Sequence, residues 1–300
     1  MATLIQTLQN TLAGKDPLLA IETRRIILKE VLQAYVLDYL YNHATYRRLN
    51  FYGGTCLHVL YGLNRLSEDL DFDNRAGLEL SHLGEDLTYH FQKTFGYQQT
   101  AHKVQQGAGG ILRTTLKFPL LNALGLSNNP SEALHLKVEI SQHEQLAIIQ
   151  HTPVLIHGRS LVAAHFSLET MMAGKMLACL ERSFVRGRSS VQIKGRDFYD
   201  LLWFMQQRVQ PLEEKLAQDG DQPYTTGSAM LALQEKISQI KKQDLAVDLL
   251  PMFEQRTFVE AWLEAFHETF HRLVAIAPKS FQDSRGRSME AAMSRACCGF

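Results

Sequence analysis

Apolar residues recur at helical spacing from about 17 to 42, in DPLLAIETRRIILKEVLQAYVLDYLY, which predicts one or two amphipathic helices. A short helix follows the glycine pair at 53 and 54, where Leu57, Leu60 and Tyr61 keep that spacing. The next segment, DLDFD at 69 to 73, alternates charged and apolar side chains, which is the period of a strand. Residues 82 to 95 read as a helix. GGILRTTLKFPL and ALHLKVEIS alternate and read as strands, separated by the loop LGLSNNPSE. TPVLIHGRSLVAAHF mixes short strand signals with loop.

From Ser167 onward the pattern is helical throughout, in LETMMAGKMLACLERSF, RDFYDLLWFMQQR, GSAMLALQEKISQIKKQDLAVDLL and RTFVEAWLEAFHETFHRLVAIA. The expected fold class is α+β. Residues 1–165 would hold helices and a mixed-sheet core, and 166–300 a helical domain with a mobile tail from about 279. Two domains suit a chain of 300 residues.

Composition narrows the partners rather than the fold. The 31 basic and 31 acidic residues cancel, so any basic surface must be local. Cys56, Cys179, Cys297 and Cys298 form no metal-ligand pair, and their usage fits a reduced compartment. MATLIQTLQN lacks the features of a signal peptide, and the apolar run FPLLNALGL is far too short to span a membrane. The expectation is a cytoplasmic protein with no membrane partner. No Walker-type or dinucleotide-type glycine motif, HExxH pair or serine nucleophile elbow is present.

The chemistry lies in NFYGGTCLHVLYGLNRLSEDLDFD, residues 50 to 73. Side chains at i and i+2 of a strand share a face, with Cα atoms ~6.6 Å apart. Asp69 and Asp71 would point one way, and Leu70 and Phe72 into the core. Two unit charges ~4 Å apart at an effective dielectric of ~20 repel by ~4 kcal/mol. Either one acid is protonated or a cation lies between them, and Mg²⁺ takes carboxylate oxygens while bridging substrate phosphates. Glu139, between Val138 and Ile140, supplies a third acid on the open side of a buried strand. Taken alone, Asp-Leu-Asp is a solvated strand edge and Gly53-Gly54 a tight turn. Together, glycines that admit a phosphate, Thr55 capping a helix N-terminus and the three acids form a phosphate-transfer arrangement.

Gly53-Gly54-Thr55, followed by Arg65-x-Ser67-x-Asp69-x-Asp71-Phe72, resembles the signature of the AbiEii/AbiGii nucleotidyltransferase toxins. These are a branch of the DNA polymerase β-like nucleotidyltransferase superfamily. The resemblance covers roughly residues 45 to 205. It implies metal binding by Asp69, Asp71 and Glu139, and nucleotide binding by Gly53, Gly54 and Thr55. MMAGKMLACLERS and KGRDFYDLLWF resemble the family's lysine-bearing and aspartate-bearing helices, which points to Lys175, Asp197 and also Asp200. Arg65 either binds the nucleotide or braces its loop, and Ser67 either meets a phosphate or ends the turn.

Lys175 shares a helix face with Leu168, Met171 and Cys179, and Asp197 aligns with Leu201 and Phe204. An ammonium on an apolar face must snorkel, pair or meet an anion. Lys175 thus either forms a structural salt bridge with Asp197 or holds the triphosphate while Asp197 polarises it or positions the acceptor. Asp197 as a simple helix cap is a further alternative. Between them, RSFVRGRSSVQIKGR carries Arg182, Arg186, Arg188, Lys194 and Arg196 and no acid. Such a run is either a solvated loop or a set of phosphate contacts for RNA.

The expected activity is Mg²⁺-dependent transfer of a nucleoside monophosphate from an NTP, in a cleft between the two domains. The resemblance implies an RNA acceptor, such as a tRNA 3′ end, and a bacterial toxin restrained by a cognate antitoxin protein. The alternatives are nucleotidylation of a small molecule, as in antibiotic-modifying relatives, and a catalytically silent binding module. Neutralising Arg186, Arg188 and Lys194 separates RNA from a small acceptor, and metal titration tests the silent module.

Overall fold

The structure is a computed structural model that describes residues 3–107, 109–182 and 193–277. The tail from about 279, and Arg186 and Arg188 of the basic run, lie outside the described residues. The fold is α+β, and the chain divides into two compact units. The first comprises residues 1–144, 149–166 and 251–254, and the second 145–148, 167–250 and 255–300.

The first unit contains α1 (Leu4–Ala13), α2 (Ile21–Asn42), β1 (Asn50–Tyr52), α3 (Gly53–Tyr61), β2 (Leu70–Asp73) and α4 (Leu83–Thr94). It continues with β3 (Ala101–Gly107), β4 (Ile111–Phe118), β5 (Leu134–Ser141), β6 (Ile149–Ile156) and β7 (Arg159–Phe166). Its seven strands form one mixed sheet in the order β3-β4-β5-β2-β1-β7-β6, with β2–β5 and β1–β7 parallel.

One face of this sheet is the core. Leu28, Leu32, Val36 and Leu40 of α2 are fully buried, and α2 packs on β5 and β7. Phe51 stacks on Phe72 with ring centroids 5.2 Å apart, and Phe91 of α4 meets Phe118 of β4 edge-on at 4.8 Å. Each such fully buried side chain stabilises the fold by about 1.5–3 kcal/mol. The segment at 251–254 is tied into this unit by the Lys15–Glu254 ion pair (2.7 Å) and by Leu66 N–H donating to Met252 O (2.9 Å).

The second unit contains α5 (Leu168–Glu181), α6 (Gly195–Gln206), α7 (Glu213–Gln218), α8 (Thr226–Ser238), α9 (Lys242–Leu249) and α10 (Arg256–Ile276). Ser167 caps α5 by accepting from Thr170 N–H at 3.3 Å. The single periodic run at 227–250 is two helices, α8 and α9, because Ile240 and Lys241 leave helical geometry between them. Lys215 is buried, and its ammonium donates to Asp219 (2.5 Å), Leu146 O (3.1 Å) and Gln145 (3.2 Å). Those bonds hold residues 145–148 in this unit. Among the described residues no helix is long and apolar enough to cross a membrane.

Candidate functional site

The glycine turn lies directly against the Asp71 side chain. Gly53 opens α3 with φ +81°, a conformation that glycine adopts without penalty. Tyr52 and Asp71 are cross-strand partners, and a Cβ on Gly53 would run into Asp71 Oδ2. A Cβ on Gly54 would run into the Arg65 guanidinium. Arg65 is buried, and its Nη1 donates to Leu66 O at 2.9 Å.

Thr55 is not the helix cap expected from the sequence. The N-cap position falls on Tyr52, whose side chain makes no capping bond. Thr55 lies fully buried in the first turn, with Oγ1 2.5 Å from Asp69 O and 2.8 Å from Ser67 Oγ. A carbonyl only accepts, so the Thr55 proton goes to Asp69 O and Ser67 donates to Thr55. Ser67 then faces any further partner as an acceptor. From α2, Gln33 Nε2 donates to Ser67 O (3.0 Å) and Lys29 pairs with Glu68 (2.9 Å), so this segment is pinned from both sides.

Asp71 and Glu139 are direct partners across the parallel β2–β5 pair, so both side chains leave the same sheet face. Leu70 and Phe72 point the other way and are fully buried. Asp69 sits one residue ahead of β2. Burial pushes its carboxyl above the ordinary range; the Glu68 and Glu139 charges add to the rise, and Lys137 and Lys29 oppose it. Cations from β4 and β5 balance the acids: Arg113 Nε lies 2.6 Å from Glu139 Oε1, and Lys137 Nζ 3.7 Å from Asp69 Oδ1. Among the described residues, no group of three or more Asp, Glu, His or Cys side chains is gathered closely enough to hold a metal ion. The carboxylates are hard oxygen donors of the kind Mg²⁺ takes. Asp69 and Asp71 fit that use, whereas Glu139 would first exchange Arg113.

In the second unit, Lys175 Nζ lies 2.7 Å from Asp197 and 2.9 Å from Asp200. The three side chains are 14%, 5% and 0% exposed, so this is a buried ionic cluster. Arg182 adds a second cation 3.3 Å from Asp197. Burial alone would raise the Asp197 carboxyl, but Lys175, Arg182 and Lys194 outweigh it and hold the group far below the usual carboxylate range. Asp197 is not the cap of α6. Asp248 of α9 accepts from Arg196 N–H (3.0 Å) at that terminus. Its carboxylate also pairs with Arg196 Nε at 3.6 Å. Arg182 and Arg196 of the basic run are therefore both engaged by acids of their own unit. Burial, followed by the charges of Arg196 and Arg182, presses the Lys194 ammonium below its usual range.

The cations Arg113 and Lys137 escaped the sequence reading. Alternation with core residues puts each on the polar side of its strand, but which acid each one meets is set by strand register.

The glycine turn thus packs against a strand-borne acid, with a second acid in register beside it. The family model described as the nucleotidyl transferase AbiEii toxin of type IV toxin–antitoxin systems matches residues 36–287. The chain belongs to that family of enzymes, and the match extends well past the 45–205 span of the motif resemblance. Among solved structures, JHP933 from Helicobacter pylori is similar in fold, with 18% identity, a TM-score of 0.50, and 91% of this chain and 97% of that one covered. A second H. pylori protein, assigned as a nucleotidyltransferase, is 18% identical over 82% and 96% of the two chains, with a TM-score of 0.44. An antigenic nucleotidyltransferase-like protein from Paracoccidioides brasiliensis is 20% identical over 78% and 95%, with a TM-score of 0.36. No match was found among curated proteins.

Proposed function

We propose that the chain transfers a nucleoside monophosphate from an NTP to an RNA acceptor, such as a tRNA 3′ end, and does so as a cytoplasmic toxin restrained by a cognate antitoxin protein. The observation that carries this reading is the Asp71–Glu139 pair, in register on one sheet face, with the Gly53 turn packed against Asp71. Asp69 and Asp71, joined by Glu139, would hold Mg²⁺, which when bound supplies charge neutralisation on the triphosphate and polarisation of the acceptor hydroxyl.

The remaining work falls to the chain's own groups. Gly53 and Gly54 let the α3 N-terminal backbone lie directly against Asp71 and Arg65, so a phosphate bound at that terminus would meet a fixed guanidinium. Thr55 and Gln33 hold the Ser67–Asp69 backbone at a constant distance from that turn. In-line attack then gains mainly from positioning and charge neutralisation. Lys175 is proposed to meet nucleotide phosphates, with Asp197 and Asp200 keeping it charged and oriented. Arg182, Arg186, Arg188, Lys194 and Arg196 are proposed as RNA contacts, for which Arg182 and Arg196 would leave their present ion pairs.

The test is incubation with each α-labelled NTP, Mg²⁺ and total RNA, comparing wild type with Asp71→Ala. Label in RNA from wild type alone supports the proposal. Label in a small molecule, or none at all, contradicts it.

A further inference from the structure

The register of the sheet assembles a second feature beside the acids. Lys103 of β3 is opposite Thr115 of β4, and Thr115 is opposite Lys137 of β5. Arg113 and Lys117 flank Thr115 at two-residue spacing, and Lys117 is opposite His135. Every lysine and arginine of these three strands therefore leaves one and the same face, the face of Asp71 and Glu139. Glu139 is the one acid in the three strands, and Arg113 already balances it. The opposite face carries the core and α4, where His102 packs against Gly84 and bonds Thr88 at 2.9 Å.

Lys117 and Lys137 both lie near enough to act on His135. Burial, and then the ammoniums of Lys117, Lys29 and Lys137, press the His135 imidazole below its usual value. Lys103 is exposed, and neither it nor Lys117 has an ion-pair partner among the described residues. Between them lie Thr115, Gln105 and Ala101. Of the face's larger apolar or ring-bearing side chains in these three strands, Ile111 beside Arg113 is half-buried and the His135 imidazole lies opposite Lys117, so the cations surround no exposed apolar anchor of the kind a protein partner would grip. A polyanion needs only the spaced charges.

We propose that the open face of β3, β4 and β5 is a track for the phosphate backbone of the acceptor RNA strand, carried by Lys103, Lys117 and Lys137 and ending at the acids. This rests on the RNA-acceptor reading above and gives that acceptor a direction of approach across the first unit. It is separate from the basic run at 182–196.

The variant Lys103→Gln/Lys117→Gln tests it in the full chain. Both side chains point away from the core, so the fold is retained, and Mg–NTP binding measured by calorimetry should equal wild type. Fluorescence anisotropy with a labelled single-stranded RNA oligonucleotide, without NTP, reads binding against salt. Loss of two phosphate contacts lowers the slope of log K against log salt by about 1.4 and weakens binding about 25-fold at 0.1 M salt. The control Arg47→Gln/Arg48→Gln removes the same charge from two exposed residues elsewhere and should change neither. Wild-type affinity and slope in the lysine variant, or an equal loss in the control, overturns the proposal. So does a variant that keeps RNA binding and loses binding to polyglutamate, which would make the face a docking surface for an acidic protein. A wild type that binds RNA through these lysines yet transfers no nucleotide leaves the track standing and contradicts the proposed activity alone.

Discussion

Replacing Gly53 and Gly54 one at a time by alanine separates two contributions that the glycine pair makes to the site. At Gly53 the backbone is left-handed, φ +81°, which costs a residue with a Cβ about 1–2 kcal/mol. The new methyl would also overlap Asp71 Oδ2 and sit 3.1–3.2 Å from the rest of that side chain, an overpacking worth about 1–3 kcal/mol. Gly53→Ala should therefore destabilise the first unit by about 2–5 kcal/mol and displace Asp71. At Gly54 the backbone is not left-handed, and alanine gains up to ~1 kcal/mol as a helix former. That gain offsets part of the overlap with Arg65, which has Cζ 3.3 Å and Ser67 Oγ 3.2 Å from the new methyl. Gly54→Ala should stay within about 2 kcal/mol of wild type while its nucleotide binding falls at least tenfold, because the guanidinium has moved.

Urea unfolding followed by far-UV circular dichroism reads the stability of these variants. Tryptophan fluorescence would report the other unit, since Trp203 and Trp262 both lie there. In an Asp71→Ala background most of the overlap at residue 53 disappears and the left-handed cost remains. The double-mutant cycle should then show a coupling of about 1–3 kcal/mol between positions 53 and 71. A Gly53→Ala protein as stable and active as wild type, with no coupling to Asp71, would refute the packing of the turn against that acid.

Three further outcomes follow from the helical unit. Lys175→Met strands two buried carboxylates and should cost about 3–5 kcal/mol by tryptophan-detected unfolding, with most of the loss recovered when Asp197→Asn and Asp200→Asn are added. An undiminished stability would mean that the cluster is not formed. Asp197, held well below its usual value of 3.8, contributes stability that is present above that pH and lost as the pH falls toward the depressed folded value. Asp197→Asn should flatten unfolding free energy against pH in that acid window, and an unchanged slope contradicts the assignment. Gly195→Ala places a methyl into the Leu245 backbone, which cannot rotate aside, so a loss of about 1–3 kcal/mol in chemical denaturation is expected; wild-type stability would deny the close approach of α6 and α9.

Periodicity revealed the elements whose own burial pattern is long or strict. α10 keeps helical spacing over 21 residues, whereas α2, 22 residues long, is buried at every position from Val31 to Leu37 and is a core helix rather than the amphipathic one expected; β2 and β5 alternate around Asp71 and Glu139. β1 is three residues long and exists through its pairing with β2 and β7, which no local pattern encodes. β3 is an edge strand of polar residues, and β6 carries Pro153, which only an edge strand accommodates. α1 went unread although Thr3 and Gln6 form a capping box that marks its start.

At the site, Asp71 and Glu139 could be matched because both are acids between core residues. The partners that set their electrostatics, Arg113 and Lys137, depend on register across three strands. Likewise, Asp248 at the α6 terminus comes from a helix more than forty residues downstream, a distance over which sequence spacing carries no pairing information.

The most direct measurement is a crystal structure of the chain soaked with Mn²⁺ and a non-hydrolysable NTP, collected at the manganese absorption edge. Anomalous density within coordination distance of Asp69 and Asp71, with the triphosphate on the Gly53–Gly54 turn, is the predicted result. Manganese and nucleotide bound away from those two carboxylates, or no binding at all by a folded protein, would contradict the account.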